Sequence, residues 1–165
     1  MNESPPPSFV PPPRLGVRIC DGRVDDVAQV VGTDAALVLV ARLGARHGPL
    51  MFHQSGGCCD GSAPMCFPRS EFLVGDSDIL LGQVGGAPFF ISGPQFAYWC
   101  HTQLVIDVVP GRGGMFSLEG PEGLRFLTRA RLYEDDEWRW LVAQRRVDER
   151  DQKHAAPGSA PPPGR

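Results

Sequence analysis

The segment HQSGGCCDGS, residues 53–62, concentrates more groups able to bind a metal or react than any other part of the chain. It holds His53 and the adjacent pair Cys58 and Cys59, with three glycines around the pair. Because glycine permits backbone angles that a Cβ resists, such a loop can bring several N–H groups and two thiols close to one ion. Nearby N–H dipoles favour the thiolate form, which suits both metal binding and nucleophilic chemistry.

The two adjacent cysteines are not expected to form a disulfide with each other. A trans peptide holds neighbouring Cα atoms about 3.8 Å apart, whereas disulfides prefer about 4.4 Å or more. We therefore predict that Cys58 and Cys59 are ligands or reactive thiols; the alternative is a tight turn with one buried cysteine. His53 could bind a metal, accept a proton or only form hydrogen bonds. Asp60 is more typical of a turn than of a ligand or base.

Two further groups could complete a metal site. Cys66 follows Cys59 by seven positions and could return to the same pocket, although PMCF is also typical of a small core residue. Cys100 and His101 follow an aromatic run, and a thiolate beside an imidazole suits zinc, iron or copper. Alternatively, Cys100 packs in an aromatic turn and His101 faces water. The predicted ligands are Cys58, Cys59, Cys66, His53, Cys100 and His101, with Zn, Fe or an iron–sulfur cluster as the candidate cofactor.

Composition narrows the class of protein. The chain of 165 residues has a net charge of -3 and no cluster of Lys and Arg, which argues against a nucleic-acid partner. It has no apolar run of about 18 residues, so no membrane span is expected. No export signal is recognisable, and five cysteines, an odd number, argue against a disulfide framework. We therefore expect a cytoplasmic protein with free thiols.

Proline-rich segments at 4–16 and 155–165 predict disordered tails, because proline cannot donate a backbone hydrogen bond. We expect a tail over 1–18, a single α+β domain over 19–147 and a second tail over 148–165. A domain of this length can bury a hydrophobic core without disulfides.

Hydrophobic spacing predicts a short strand near 27–31 and then a helix that Thr33 caps and the sequence 47–49 ends. Short β-rich runs follow, and Gly85-Gly86 predicts a hairpin between two of them. A helical turn opened by Pro94 and a terminal helix over 134–150 complete the chain. The fold class is therefore α+β with mostly antiparallel sheet; the strands are predicted at 50–54, 65–67, 78–84, 87–92, 103–111, 114–119 and 124–133.

Several long runs closely resemble the bacterial family catalogued as domain of unknown function 779. They are HGPLMFHQSGGCCDGSAPMCFP, GDSDILLGQVGGAPFFIS, YWCHTQLVIDVVPGRGGMFSLE and GLRFLTRARL. The resemblance extends over about 33–133, and HQSGGCCDGS is highly specific to the family. Genes of this family often lie beside aldehyde or alcohol dehydrogenase genes. The resemblance therefore implies an accessory role in aldehyde metabolism, with such a dehydrogenase as a partner.

A second resemblance concerns the layout of the domain. The helix opening TDAA, the strand after GPL and the turn Gly56-Gly57-Cys58 resemble the HesB-like A-type iron–sulfur carriers. This resemblance implies an α+β fold with an N-terminal helix, and a homodimer. Only Cys58 matches a ligand of those carriers, and GRGGMFSLE stands where their Cys-Gly-Cys would be. Any metal would therefore need Cys59, Cys66, Cys100 or His101 to replace the missing ligands.

Three functional hypotheses follow. The first is a small accessory protein that binds a metal ion or an iron–sulfur species through Cys58 and Cys59. The second is a thiol-based enzyme or a redox or aldehyde sensor, in which one of these cysteines is the nucleophile and His53 the base. The third is an interaction module without chemistry, whose cysteines only pack. A role other than catalysis is favoured.

Overall fold

The computed structural model describes the backbone of residues 14–55 and 63–154, and side chains as far as Arg145. Within these ranges the chain forms three α-helices and nine strands. The helices are α1 (Asp34–His47), α2 (Gly93–Trp99) and α3 (Asp135–His154). The strands are β1 (Val17–Cys20), β2 (Arg23–Val27), β3 (Val30–Gly32), β4 (Leu50–Gln54), β5 (Met65–Pro68), β6 (Asp78–Val84), β7 (Ala87–Ser92), β8 (Thr102–Pro110) and β9 (Leu124–Leu132).

The strands form three sheets. β1 and β2 make a hairpin, β3, β8 and β9 make a three-stranded sheet, and the third sheet has the order β5-β4-β7-β6. The pairs β3–β8 and β4–β7 are parallel, and the other four pairs are antiparallel. The predicted α+β class is confirmed, with sheets of mixed direction.

Helix α1 begins and ends as its sequence predicts. The backbone N–H of Ala36 donates to Oγ1 of Thr33 at 3.3 Å, which satisfies one of the free donors of the first turn. At the other end Gly48 has a φ of 78° and donates to the carbonyl of Gly44, and glycine adopts such a positive φ without strain. One face of α1 is buried through Ala36, Leu39, Val40 and Leu43.

The core lies between the two larger sheets and α1. The Phe52 ring of β4 packs on Phe89 of β7 at 5.8 Å and edge-on against Phe126 of β9 at 4.9 Å. Successive side chains of a strand point to opposite faces. Since Phe52 faces this core, the next residue, His53, projects from the opposite face of the four-stranded sheet.

The hairpin between β6 and β7 is confirmed. Gly85 and Gly86 have φ angles of 58° and 82°, the two positive values that a two-residue type I′ turn requires. A Cβ on Gly85 would also lie 2.9 Å from Cγ1 of Val40 in α1. The turn therefore needs glycine at Gly85 for its backbone angle and for its packing against the helix.

The strand predicted at 114–119 is wrong. This segment forms turns, in which the N–H of Ser117 donates to the carbonyl of Gly114. Met115 and Phe116 are exposed, whereas Ser117 and Glu119 are buried. The polar side chains point inward because they bond to backbone groups of neighbouring strands, which the apolar pattern of the segment does not reveal.

Described elements lie on both sides of residues 19 and 147, and the division into one domain and two tails stays a prediction. β1 starts at Val17, and Arg14 forms an ion pair of 2.8 Å with the buried Glu137 at the start of α3. Helix α3 itself continues to His154. No helix in the described part of the chain is long and apolar enough to cross a membrane.

Candidate functional site

His53 lies beside a carboxylate that the sequence did not single out. Its Nε2 is 3.0 Å from Oδ2 of Asp78, and each side chain is only 10% exposed. The approach is oblique, because Nε2 has no well-aligned hydrogen bond among the described residues. The contact is therefore mainly electrostatic, between an imidazole and a carboxylate that are both largely removed from water.

Asp78 is held in place by its own turn. The N–H of Gly75 donates to Oδ2 of Asp78 at 2.8 Å, and the N–H of Asp78 donates back to the carbonyl of Gly75 at 3.0 Å. Burial raises the pKa of the Asp78 carboxyl, but the Gly75 N–H and His53 outweigh burial, so that the pKa is lowered. Asp78 is therefore ionised at neutral pH and presents a negative charge to the imidazole.

The four-stranded sheet brings these two residues together. His53 in β4 and Leu80 in β6 both pair with Phe90 of β7, and Asp78 pairs with Ser92 in the same strand. Residues 25 positions apart in sequence thus lie two strands apart in the sheet. The sequence predicted each strand, but not their order, so it gave no reason to pair His53 with Asp78.

Aromatic rings cover another side of His53. The Phe72 ring lies 4.7 Å from the imidazole and stacks on Phe67 at 4.8 Å. Phe72 belongs to the segment between β5 and β6, the same segment that leads to Asp78. The connection therefore supplies an apolar neighbour to His53, and the strand that follows it supplies the charged one.

Cys66 is part of the hydrophobic core. It pairs with Phe52 across β4 and β5 and is fully buried. Its side chain shares the core face with Phe52, whereas His53 projects from the other face. Burial, with a contribution from the charge of Glu119, raises the pKa of the Cys66 thiol to about 12. Its place on the core face is compatible with the interpretation of Cys66 as a small core residue, and its ligand role stays a prediction.

Cys100 and His101 lie at the end of α2. The Cys100 thiol donates to the carbonyl of Ala97 at 3.4 Å, and the exposed His101 ring lies 4.9 Å from Trp138 of α3. Both contacts are compatible with the alternative in which the cysteine packs and the histidine faces water, and the ligand role of the two residues stays a prediction. Neither contact joins them to His53.

Cys58 and Cys59 lie outside the described residues, as does Asp60. Among the described side chains, those of 14–55 and 63–145, no three His, Cys, Asp or Glu residues come together as a metal site. The predicted ligand set therefore stays a prediction. What the described residues add is the position of His53, three residues before Gly56 and 3.0 Å from Asp78.

The fold and this geometry define an α+β domain with a buried histidine–carboxylate pair, whose histidine lies three residues before a glycine- and cysteine-rich segment. The chain belongs to the family described as domain of unknown function (DUF779), whose sequence profile matches residues 39–132. That range starts within α1, ends with β9 and includes both the cysteine pair and the His53–Asp78 pair. No curated protein matches the chain.

Proposed function

We propose that this protein is a small cytoplasmic accessory protein that binds a transition-metal ion through Cys58, Cys59 and His53. The observation that carries the proposal is the 3.0 Å contact between His53 and the ionised Asp78. Histidines that bind metals usually have their other ring nitrogen on a carboxylate or carbonyl, which fixes the ring and raises its basicity. His53 has such a neighbour, and the cysteine pair begins five residues later.

The ligand chemistry favours a single ion over a cluster. Two thiolates and one imidazole match a zinc site of the type that keeps a fourth position open, and Fe²⁺ also accepts these donors. An iron–sulfur cluster normally needs four cysteine thiolates. Because Cys66 is buried in the core, Cys100 bonds to its own helix and Cys20 lies in the β1–β2 hairpin, we expect a cluster to take Cys58 and Cys59 from two copies of the chain, as a homodimer.

Zinc binding by the full-length chain tests this proposal. We expect one Zn²⁺ per chain in isothermal titration, lost when Cys58 and Cys59 are both changed to Ser and strongly weakened by His53→Gln. Cys100→Ser and His101→Gln make the same chemical changes at the end of α2 and serve as matched controls. Equal losses in the controls, or no binding by the wild type at stoichiometric zinc, would overturn the proposal.

Asp78 allows a second comparison within one turn. Asp78→Asn keeps the shape of the side chain but removes its charge, and the loss of such a neighbour typically weakens metal binding about 10–100-fold. Asp76→Asn removes the same charge from an exposed residue two positions earlier. If Asp78 organises the metal site, Asp78→Asn weakens zinc binding and Asp76→Asn leaves it unchanged.

The same pair also supports thiol chemistry as a second function. A buried Asp next to a His is the arrangement that orients a histidine base toward a cysteine nucleophile. In that case His53 takes the proton of Cys58 or Cys59, and one of these thiols alkylates rapidly below pH 8.5. Asp78→Asn then slows alkylation. Reaction only above about pH 8.5, the range of an ordinary thiol, would remove this function.

The partner expected from the family, an aldehyde or alcohol dehydrogenase, belongs to the same proposal. If the protein serves that enzyme through its metal or its thiols, the Cys58→Ala, Cys59→Ala variant fails to support the enzyme although it remains folded. A variant that still binds and supports the enzyme would instead favour the interaction module, in which the cysteines have no chemical role. Co-purification of the dehydrogenase with both forms separates these outcomes.

A further inference from the structure

We infer that Phe72 is a positioning residue for His53: it keeps Nε2 against Asp78, so that Nδ1 is the ring atom available to a ligand. The metal part of this inference rests on the proposed function. The orientation of the imidazole does not, and it can be measured on the metal-free protein.

The charge of Asp78 decides which nitrogen carries the proton. A neutral imidazole has one protonated and one unprotonated nitrogen. At 3.0 Å from the ionised Oδ2, a lone pair on Nε2 would face a negative charge, whereas an N–H would be attracted to it. The proton therefore resides on Nε2, and the lone pair that can bind a metal or accept a proton is on Nδ1.

Asp78 alone does not hold the ring in this orientation. The approach of Nε2 to Oδ2 is not a well-aligned hydrogen bond, and hydrogen bonds weaken steeply as their angle departs from linear. Rotating the imidazole about Cβ–Cγ therefore costs less free energy than it would if Nε2 made a linear hydrogen bond to Asp78. A second restraint is needed to keep one tautomer dominant.

Phe72 supplies that restraint. Its ring lies 4.7 Å from the imidazole with an interplanar angle of 36°, within the range of favourable aromatic pairs. Phe72 is itself held by a stack on Phe67, with an interplanar angle of 22°. The imidazole is thus limited by an aromatic ring on its face, from the connection between β5 and β6, and by a carboxylate at its edge, from the first residue of β6.

The neighbouring residue provides a control for local packing. Leu73 follows Phe72 in the same connection but is 93% exposed. A substitution there changes the composition of the connection without touching His53. If a substitution of Phe72 affects His53 and a substitution of Leu73 does not, the effect comes from the contact between the two rings.

The test is the tautomer of His53 in long-range proton–nitrogen NMR spectra of the metal-free, full-length protein at a pH where the ring is neutral. His53→Gln assigns the signal among the four histidines of the chain. We expect the Nε2–H form in the wild type, a mixture of both forms in Phe72→Leu, recovery in Phe72→Tyr and no change in Leu73→Ala. An Nδ1–H form or an even mixture in the wild type would overturn the inference without any variant.

Zinc titrations of the same proteins separate this inference from the proposed function. We expect Phe72→Leu to weaken Zn²⁺ binding about tenfold, the lower end of what residues behind a ligand contribute, with recovery in Phe72→Tyr. If the wild type binds no zinc, the proposed function fails while the NMR result still decides the role of Phe72. If zinc binds and Phe72→Leu changes neither tautomer nor affinity, Phe72 only packs and the inference is overturned.

Discussion

The buried hydroxyl of Ser117 donates a hydrogen bond to a carboxylate oxygen of Glu119, and this pair connects two sheets. On one side the N–H of Cys66 in β5 donates to Oγ of Ser117 at 2.8 Å. On the other side the N–H of Phe126 in β9 lies 3.4 Å from Oε1 of Glu119. Since β5 and β9 are edge strands of different sheets, two polar side chains satisfy backbone groups that the sheets leave unpaired.

Ser117→Ala tests this connection. The change leaves the buried N–H of Cys66 and one oxygen of Glu119 without their partner, and an unsatisfied buried group costs about 1–3 kcal/mol. We expect the free energy of unfolding in urea to fall by about that amount. Ser70→Ala, at an exposed position, provides the matched control and should change it by less than about 0.5 kcal/mol. Equal effects of the two changes would contradict the role of Ser117.

Glu119 should make stability depend on pH. Burial raises the pKa of its carboxyl above the ordinary value of 4.5, against the opposing effect of its hydrogen bonds to Ser117 and to backbone N–H groups. The folded state therefore holds this proton more tightly than the unfolded state. Its contribution to stability is fully present below pH 4.5 and is lost as the pH rises through the raised pKa.

Glu119→Gln isolates that contribution, because glutamine has a similar shape and does not ionise. We expect the variant to gain stability relative to the wild type as the pH rises from 4.5 towards neutral. Urea unfolding at a series of pH values measures the difference. If the difference in free energy of unfolding between variant and wild type is the same at every pH in this range, Glu119 binds its proton equally tightly in the folded and unfolded states, which contradicts the prediction.

Cys66 and Cys20 should differ sharply in reactivity. The Cys66 thiol is buried and its pKa is raised to about 12, whereas Cys20 is exposed in the β1–β2 hairpin. Because only the thiolate reacts, we expect iodoacetamide at pH 8 to modify Cys20 in the native protein and Cys66 only after unfolding. Peptide mass spectrometry reads both sites in one sample. Modification of native Cys66 at the rate of Cys20 would contradict its burial.

Among the acidic residues of α3 whose side chains are described, Glu137 should be the most costly to remove. It is fully buried and pairs with Arg14 at 2.8 Å and Arg131 at 2.9 Å. Breaking a buried ion pair from one side leaves uncompensated charge, and since both arginines are partly exposed we expect Glu137→Ala to cost about 3 kcal/mol. Glu134→Ala removes an exposed carboxylate 3.6 Å from the same Arg14 and should cost less than about 1 kcal/mol. Comparable losses in thermal or urea unfolding would refute this assignment.

Much of the fold follows from local sequence signals. Thr33 caps a helix because its hydroxyl accepts from the N–H of Ala36, and Gly85-Gly86 forms a hairpin because both positions need positive φ angles. The strand Leu50–Gln54 has the predicted bounds, since a glycine and a proline precede it. These features depend on residues within a few positions of each other, so a single sequence is sufficient to find them.

The relationships that could not be predicted are long-range. The pattern of GMFSLE is compatible with a strand, but Ser117 bonds to Cys66, 51 positions earlier, and this contact imposes turns instead. The partner of His53 was missed for the same reason, because its distance from Asp78 depends on the strand order β4-β7-β6. The sequence did identify His53 itself, from its position at the end of a strand before Gly56.

X-ray absorption at the zinc edge of the Zn²⁺-loaded, full-length protein tests the proposed metal site most directly. We expect two sulfur neighbours at about 2.3 Å, and at least one nitrogen at about 2.0 Å that is lost in His53→Gln. A first shell of oxygen and nitrogen alone, or of four sulfurs in the wild type, would contradict a site built from Cys58, Cys59 and His53.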